Sequence, residues 1–333
     1  MNKIGVSIRD VARETGLSTA TISRVVNGGA RVSDKTRQRV LDACARLDYL
    51  PNPAARALST RRSKAVAAII PTIEHSVFAK FIAAIERTLG EHGYSLIIAI
   101  SNADEEGELA AGRKLLGMGA DAFVLSGMDH AQSLLDLLDR RQVPFVYTSV
   151  WSEQSTTPTI GYDNAYLATE AMRHLQECGH RRVAVVHGPL AESDRTRARR
   201  AGAEAMRSAF DHVEFCEAPV SIAGGKACVT HMLQDGGDFT ACLCSSDVLA
   251  LGAYFALAEA GKSIPDDVSV MGFDNLDWAT QVVPPLTTIG LPATGMGEAV
   301  AAQIVEYLER DVPLHSQLLP ARIISRGSVA KLG

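Results

Sequence analysis

Between residues 65 and 272 the chain alternates short, almost continuously apolar runs with longer helix-like stretches, and few folds accommodate that pattern. The spacing predicts strands at 65–71, 94–100, 121–125 and 143–148, with helices at 77–92, 104–117 and 131–141 between them. A second series follows, with helix 164–178, strand 182–187, helix 197–209, strand 213–217, helix 224–235, strand 240–244, helix 247–261 and strand 268–272. Strands that are apolar on both faces, each followed by a crossover helix, belong to parallel sheets covered on both sides. There are too many of them for one core. Two doubly wound lobes, with a cleft at the carboxyl ends of their strands, are therefore expected.

The first fifty residues read differently. Ser7 and Asp10 look like the N-terminal cap of a helix whose apolar face is Val11, Ala12 and the later Leu17, and Gly16 ends it. Ser18 caps a second helix with Ile22, Val25 and Val26 on one side, leaving Thr19, Ala20, Ser23 and Arg24 on the other. Ser33 caps a third, in which Val40, Leu41, Cys44, Leu47 and Tyr49 can close a small core. Two short helices joined by a tight turn suit insertion into a DNA major groove. Thr19, Ala20, Ser23 and Arg24 are then the base-reading side chains, with Arg24 able to make a bidentate bond to guanine. Ser7, Ser18, Thr21, Asn27, Ser33 and Thr36 suit phosphate contacts, which position the head without specifying sequence. Residues 52–59 form another potential helix, with Asn52 as cap and Pro53 at its first position, too short to hold together unaided.

Charge supports the division. Residues 1–64 carry 13 Lys or Arg against 5 Asp or Glu, a net of +8, whereas the whole chain of 333 residues has a net charge of -5. Phosphate attraction is thus concentrated in the head, and the acidic remainder discourages indiscriminate coating of nucleic acid. No run of eighteen apolar residues or secretory leader is evident, so a cytoplasmic protein with no membrane partner is expected. The six cysteines suggest buried thiols rather than a disulfide framework or a zinc site, and Cys242 and Cys244 alternate onto one strand face. Glycine-containing segments lack the order of a dinucleotide or phosphate loop, and Asp247, Asp266, Asp267, Asp274 and Asp277 show no metalloprotease spacing. No enzyme, cofactor or metal is implied. His75, His130 and His187 fall in or near loops after strands.

Three stretches, in this order, carry a family resemblance: SIRDVARETGLSTATISRVVNGGARVSDKTRQRVLDACARLDYLPNPAARAL, DFTACLCSSDVLALGAYFALAEAGKSIPDDVSVMGFDN and PPLTTIGLPATGMGEAV. The chain resembles the LacI family of transcriptional regulators over nearly its whole length. The resemblance implies an N-terminal all-α helix-turn-helix head at 1–50, a hinge helix and linker at 51–64, and a two-lobed α/β effector and dimerisation domain at 65–333 of the type I periplasmic-binding-protein kind. It further implies three passages between lobes, near 161–163, 290–292 and 318–321, and the return of a helix at 294–310 to the first lobe. The first lobe would then hold about 65–161 and 291–319, and the second about 162–290 and 320–333. In the hinge, the family's A-R-x-L word falls on Ala55, Arg56, Ala57 and Leu58, so Leu58 is expected to wedge into the minor groove beside its symmetry mate.

The cleft is expected to hold an allosteric small-molecule effector. Loops after strands present His75, Phe78, Ser126, Ser149, the segment Arg195-Thr196-Arg197, Ser246 and Asp274. The resemblance singles out Arg197, in the word R-x-R-R-A-G, and Asp274, in G-F-D-N, as effector contacts. Three departures stand out: Ser149 where an aspartate is usual, Ser246 where asparagine is usual, and His75-Ser76-Val77-Phe78 in the first loop. A carbohydrate-related, phosphorylated or carboxylated metabolite is the expected class. Assembly as a homodimer through helices near 77–92 and 224–235 and neighbouring strands, on double-stranded operator DNA, completes the expectation, and repression is the expected sense. The alternative is a cytosolic solute-binding or sensor protein whose helical head binds a protein.

Overall fold

The computed structural model describes residues 6–26, 32–50, 63–73, 76–101 and 104–332. The chain divides into two compact units, Met1–Lys64 and Ala65–Gly333.

In the first unit, α1 (Ile8–Thr15), α2 (Thr19–Val26) and α3 (Asp34–Arg46) surround a core of Val11, Ile22, Val25, Val40 and Ala43. Gly16, at φ 63°, closes α1 in the left-handed conformation that glycine adopts without cost. The expected core is corrected at one position. Leu41 is exposed, and Ala43 takes the inward place beside Val40, because successive helical residues cannot share one face.

The second unit contains two six-stranded sheets. β1 (Ala65–Ile70), β2 (Ser95–Ile100), β3 (Ala122–Ser126), β4 (Phe145–Thr148), β5 (Thr159–Gly161) and a late strand, β11 (Gln317–Leu318), form the first, in the order β11-β5-β4-β3-β1-β2. Every pairing in it is parallel. The crossovers run through α4 (Ser76–Glu91), α5 (Glu105–Gly117) and α6 (Gln132–Arg141). The second sheet is ordered β12-β10-β9-β8-β6-β7, from β6 (Arg182–His187), β7 (His212–Glu217), β8 (Ala241–Cys244), β9 (Ser269–Asp274), β10 (Thr287–Gly290) and β12 (Arg322–Ile324). Only β12 runs antiparallel to its neighbour. Its helices are α7 (Asn164–Glu177), α8 (Asp194–Ala205), α9 (Ile222–Gln234) and α10 (Asp247–Glu259). The hydrophobic reading of β1 and β8 is explained by their burial at every residue, as sheets covered on both faces require.

The chain passes between the sheets after β5, again after β10, and again between β11 and β12. After β10 it forms α11 (Ala293–Arg310), which lies along α4. Their approach is close at Gly297, where a Cβ would stand 2.6 Å from the Phe81 carbonyl oxygen.

Two sequence expectations change. The helix expected at 197–209 begins at Asp194, because the Ser193 hydroxyl accepts the Thr196 N–H and caps it there. Among the cysteines, Cys216 on β7 and Cys228 on α9 are joined as a disulfide, with Cα atoms 6.3 Å apart. The crossover from β7 packs α9 beside α10 and against β6, the neighbour of β7, and the two cysteines, 12 apart in sequence, meet there. Cys178, Cys242 and Cys244 are buried thiols and Cys44 is half-buried. The Cys242 and Cys244 sulfurs lie 3.7 Å apart on one face of β8.

Candidate functional site

In each sheet the connections leave the first strand in one direction and return in the other, between β1 and β3 and between β6 and β8. Ligands of doubly wound sheets bind at the carboxyl ends flanking such a switch. A cavity of about 460 Å³ lies there, with walls from both lobes. Pro71 and Thr72 follow β1, Pro189 follows β6, and Ser245 and Ser246 follow β8. Phe78 from α4 and Met296 from α11 add apolar surface.

Its polar centre is a buried pair. The Arg199 Nε donates to Asn164 Oδ1 at 2.9 Å, one terminal nitrogen donates to the Ser245 carbonyl at 2.7 Å, and that nitrogen lies 3.7 Å from Asp274 Oδ1. The guanidinium also lies over the Phe273 ring, 3.9 Å from its centroid. Asp274 accepts from the Ser246 hydroxyl at 3.0 Å and has a backbone φ of 131°, a strained conformation for a residue with a Cβ. Burial pushes its carboxyl up to about 7, even though Arg199 pulls the other way. Asp247 is a strut. It accepts from the Leu276 N–H at 2.8 Å and the Thr288 hydroxyl at 2.6 Å, and a Cβ on Gly272 would collide with it at 2.2 Å.

Of the residues expected in the cleft, Phe78, Ser149, Ser246 and Asp274 line this cavity. Ser126 lines a neighbouring chamber instead. His75 lies outside the described residues. Arg197 requires a correction: it is absent from the cavity wall, donating to the Leu190 carbonyl at 2.7 Å and pairing with Asp129 on the opposite lobe. The cavity is lined instead by Arg199, two residues on, and by Arg195. A helix turns about 100° per residue, so i and i+2 point to nearly opposite sides, and the cap at Ser193 sets which of them faces inward. The R-x-R-R-A-G word contained both candidates, but not the helix phase. Tyr162 and Met296 were also missed. Tyr162 is buried among the charges of the site, and the Ser149 N–H points to the Met296 sulfur at 3.3 Å.

In the head, Thr19, Ala20 and Arg24 are exposed and Ser23 is half-buried, on the side of α2 away from Ile22 and Val25. Hydroxyls gather at the helix starts. Ser7 donates from both its N–H and its hydroxyl to Asp10, the Ser18 and Thr21 hydroxyls lie 2.9 Å apart, and so do those of Ser33 and Thr36. Asn27 and the hinge residues Asn52, Ala55, Arg56, Ala57 and Leu58 lie outside the described residues.

Residues 63–325 match the family described as periplasmic binding proteins and sugar binding domain of the LacI family, and residues 7–52 match the bacterial regulatory proteins of the lacI family. The chain belongs to the LacI family. This LacI-family regulator is 31% identical to the HTH-type transcriptional repressor PurR of Haemophilus influenzae (strain PittEE), over 98% of the chain and 99% of that protein. Its structure is similar to that of a lac repressor dimer bound to operator and the anti-inducer ONPF, with a TM-score of 0.88 and 28% identity over 98% of this chain and 99% of that one. A complex of the transcriptional regulator CelR with cellobiose matches with a TM-score of 0.69 and 27% identity, covering 97% of this chain and 99% of that one. Family membership makes the protein a DNA-binding transcriptional regulator under allosteric control, not an enzyme.

The lobes of this LacI-family regulator touch at both edges of the cleft. On one edge the start of α8 meets the loop after β3: Asp194 accepts the Met128 N–H at 2.6 Å, Arg197 pairs with Asp129, and Arg195 lies against Gly127. A Cβ at Gly127, whose φ is 93°, would occupy the place of the Arg195 guanidinium. On the other edge Lys80 of α4 pairs with Asp277 at 2.5 Å. Among the described residues, no helix is long and apolar enough to cross a membrane.

Proposed function

We propose that the protein is a repressor that binds a palindromic operator as a homodimer and is controlled by a small polar metabolite held between its lobes. The observation that carries this reading is a cavity whose polar groups come from both lobes, on a chain that also bears an exposed recognition helix. A ligand that binds one lobe arrangement more tightly shifts the equilibrium by its differential affinity, and the coupling to DNA is reciprocal.

Residues 1–50 serve as the reading head, 51–64 as the hinge and 65–333 as the effector and dimerisation domain. Thr19, Ala20, Ser23 and Arg24 meet base edges, while Ser7, Ser18, Thr21, Asn27, Ser33 and Thr36 meet phosphates. The hinge, from Asn52 through Ala55, Arg56, Ala57 and Leu58, carries the minor-groove wedge. Phe78, Ser149, Arg199, Ser246 and Asp274 hold the effector, with His75 in the adjoining loop. The dimer is supported by apolar side chains left exposed on β2, α9 and α10, namely Ile98, Ile100, Ile222 and Phe255.

Hydroxyl-bearing ligands suit this cavity. Ser149, Ser193, Ser245 and Ser246 stand beside apolar walls, and a carboxyl that titrates near neutrality can both donate and accept. Cellobiose in the CelR complex supports the carbohydrate-related class. A phosphorylated or carboxylated ligand has less support, because Arg199 already faces Asp274, Arg195 faces Asp194, and Arg197 lies outside the cavity.

Operator selection followed by titration tests the reading. Arg24→Ala is expected to cost about 1–3 kcal/mol of discrimination at one base pair per half-site while leaving non-specific binding nearly unchanged. An unaltered ranking of operator variants would refute the assignment of Arg24. Failure of the parent to select any duplex sequence would refute the function.

A further inference from the structure

Beside the main cavity lies a second chamber of about 360 Å³. Pro71, Glu192, Ser193 and Arg195 line both, so the two are neighbours at the start of α8. The far wall of this chamber belongs to the first lobe, where Ser126 ends β3, Asp104 caps α5, and Glu105 and Glu108 lie in its first turn.

The charges of the chamber are one-sided. It is lined by six carboxylates, Asp104, Glu105, Glu108, Asp129, Glu192 and Asp194, and by a single guanidinium, that of Arg195. Four of the six are engaged. Glu108 is bonded to His130 Nδ1 at 2.6 Å and accepts the Ala131 N–H at 2.7 Å. Asp129 faces Arg197, Asp194 holds Arg195 and the Met128 N–H, and Asp104 caps α5 through the Gly107 N–H. Among the described residues, the side-chain carboxylates of Glu105 and Glu192 have no hydrogen bond or ion pair.

A second, independent observation points to a ligand. Ser126 is only 6% exposed and lines the chamber, yet its hydroxyl has no hydrogen-bond partner. A buried hydroxyl left in this state costs roughly 1–3 kcal/mol, so such groups are normally satisfied. An anion would add to the carboxylates rather than offset them. A metal ion is also disfavoured, because no three ligating side chains converge among the described residues. What the chamber lacks is an occupant with positively charged N–H donors and a neighbouring hydroxyl.

We propose that this chamber is a subsite for a protonated amine: the ammonium faces Glu105 and Glu192, and an adjacent hydroxyl on the same molecule pairs with Ser126 Oγ. The proposal rests on the reading of the inter-lobe cleft as the effector site. It specifies the class of effector as an amine-bearing, hydroxylated molecule that reaches from the main cavity past Arg195. The charged donor would make hydrogen bonds stronger than those of a neutral hydroxyl in the same place.

Ethanolamine, which combines an ammonium and a hydroxyl and is small enough for this chamber alone, is the probe. Full-length protein is melted across an ethanolamine hydrochloride series, against sodium chloride at matched ionic strength and against glycerol. The expected result is a saturable rise in Tm with ethanolamine only, and an apparent affinity at least about tenfold weaker in the Glu105→Gln/Glu192→Gln double variant. Both glutamates are exposed, so the double variant keeps its fold, and its own melting curve verifies this. Ser126→Ala should weaken ethanolamine without creating a response to glycerol. The proposal is overturned if there is no saturable rise, if glycerol gives an equal rise, or if the response is undiminished in the double variant. Operator titration does not enter this measurement, so failure here leaves the DNA-regulator reading standing, and failure to bind an operator leaves the amine result standing.

Discussion

Asp274 shows most directly what a residue's surroundings do to its chemistry. Its carboxyl titrates near 7 because burial penalises the charge more than Arg199 rewards it. A folded-state value above the unfolded one means that the fold holds the proton more tightly than the unfolded chain does. The stability linked to this group is therefore complete below the ordinary carboxylate range and is lost as pH rises through about 7. Asp274→Asn, which cannot ionise, should gain Tm relative to the parent between about pH 5 and about pH 9. A Tm difference that does not change across that range would show the carboxyl to be ionised throughout. Arg199 and Arg197 form a second contrast. Arg199→Ala should weaken effector binding by at least about tenfold, whereas Arg197→Ala, which removes an exposed pair, should leave it within about threefold. Calorimetry with the identified effector separates the two. That an arginine and an acid face the cleft is what the family resemblance of R-x-R-R-A-G and G-F-D-N implies, and Arg199 and Asp274 line the cavity. The choice between arginines two positions apart depends on a cap at Ser193, and the pairing with Asp274 depends on contacts across 75 positions of chain, neither of which local pattern encodes.

At the scale of elements, periodicity located β1 to β4, β6 to β9 and the helices between them to within a few residues, because parallel strands buried on both faces leave a continuous apolar run, but it did not find β5, β10, β11 and β12, which span only two to four residues each. The start of α8 was placed late, at 197, since its first turn is Asp-Arg-Thr and carries no apolar stripe. That polar turn is what reaches across to Gly127, Met128 and Asp129. The seam between α4 and α11 obeys a different constraint, close backbone approach. Helix propensity alone would favour alanine over glycine by about 1 kcal/mol within α11. At Gly297 the new Cβ would press on the Phe81 carbonyl and lie 2.7 Å from the Ala84 Cβ, which two packed helices cannot relieve by side-chain movement. Gly297→Ala should therefore destabilise by about 1–3 kcal/mol, read as a lower denaturation midpoint. A midpoint equal to or above the parent's would mean that the helices separate freely.

For the whole molecule, affinity is expected to depend on pairing two chains, since one head offers too little surface for tight specific binding. Phe255, 47% exposed on α10, is one of the apolar side chains proposed above for that pairing. Phe255→Glu combined with Ile98→Glu should shift sedimentation towards monomer and weaken operator binding together, while the cleft still takes up effector. Dimers that persist unchanged would move the interface elsewhere. The interleaving of the two lobes has a consequence for how the protein comes to exist at all. β5 ends at Gly161, but α11, which covers α4 and completes the first lobe, begins only at Ala293. At ordinary rates of translation the interval is on the order of 10 s. For that time Phe81 and Ile85 lack the helix that later lies against them, although the head has already left the ribosome. Synthesis thus delivers the DNA-reading part of the protein well before the part that regulates it.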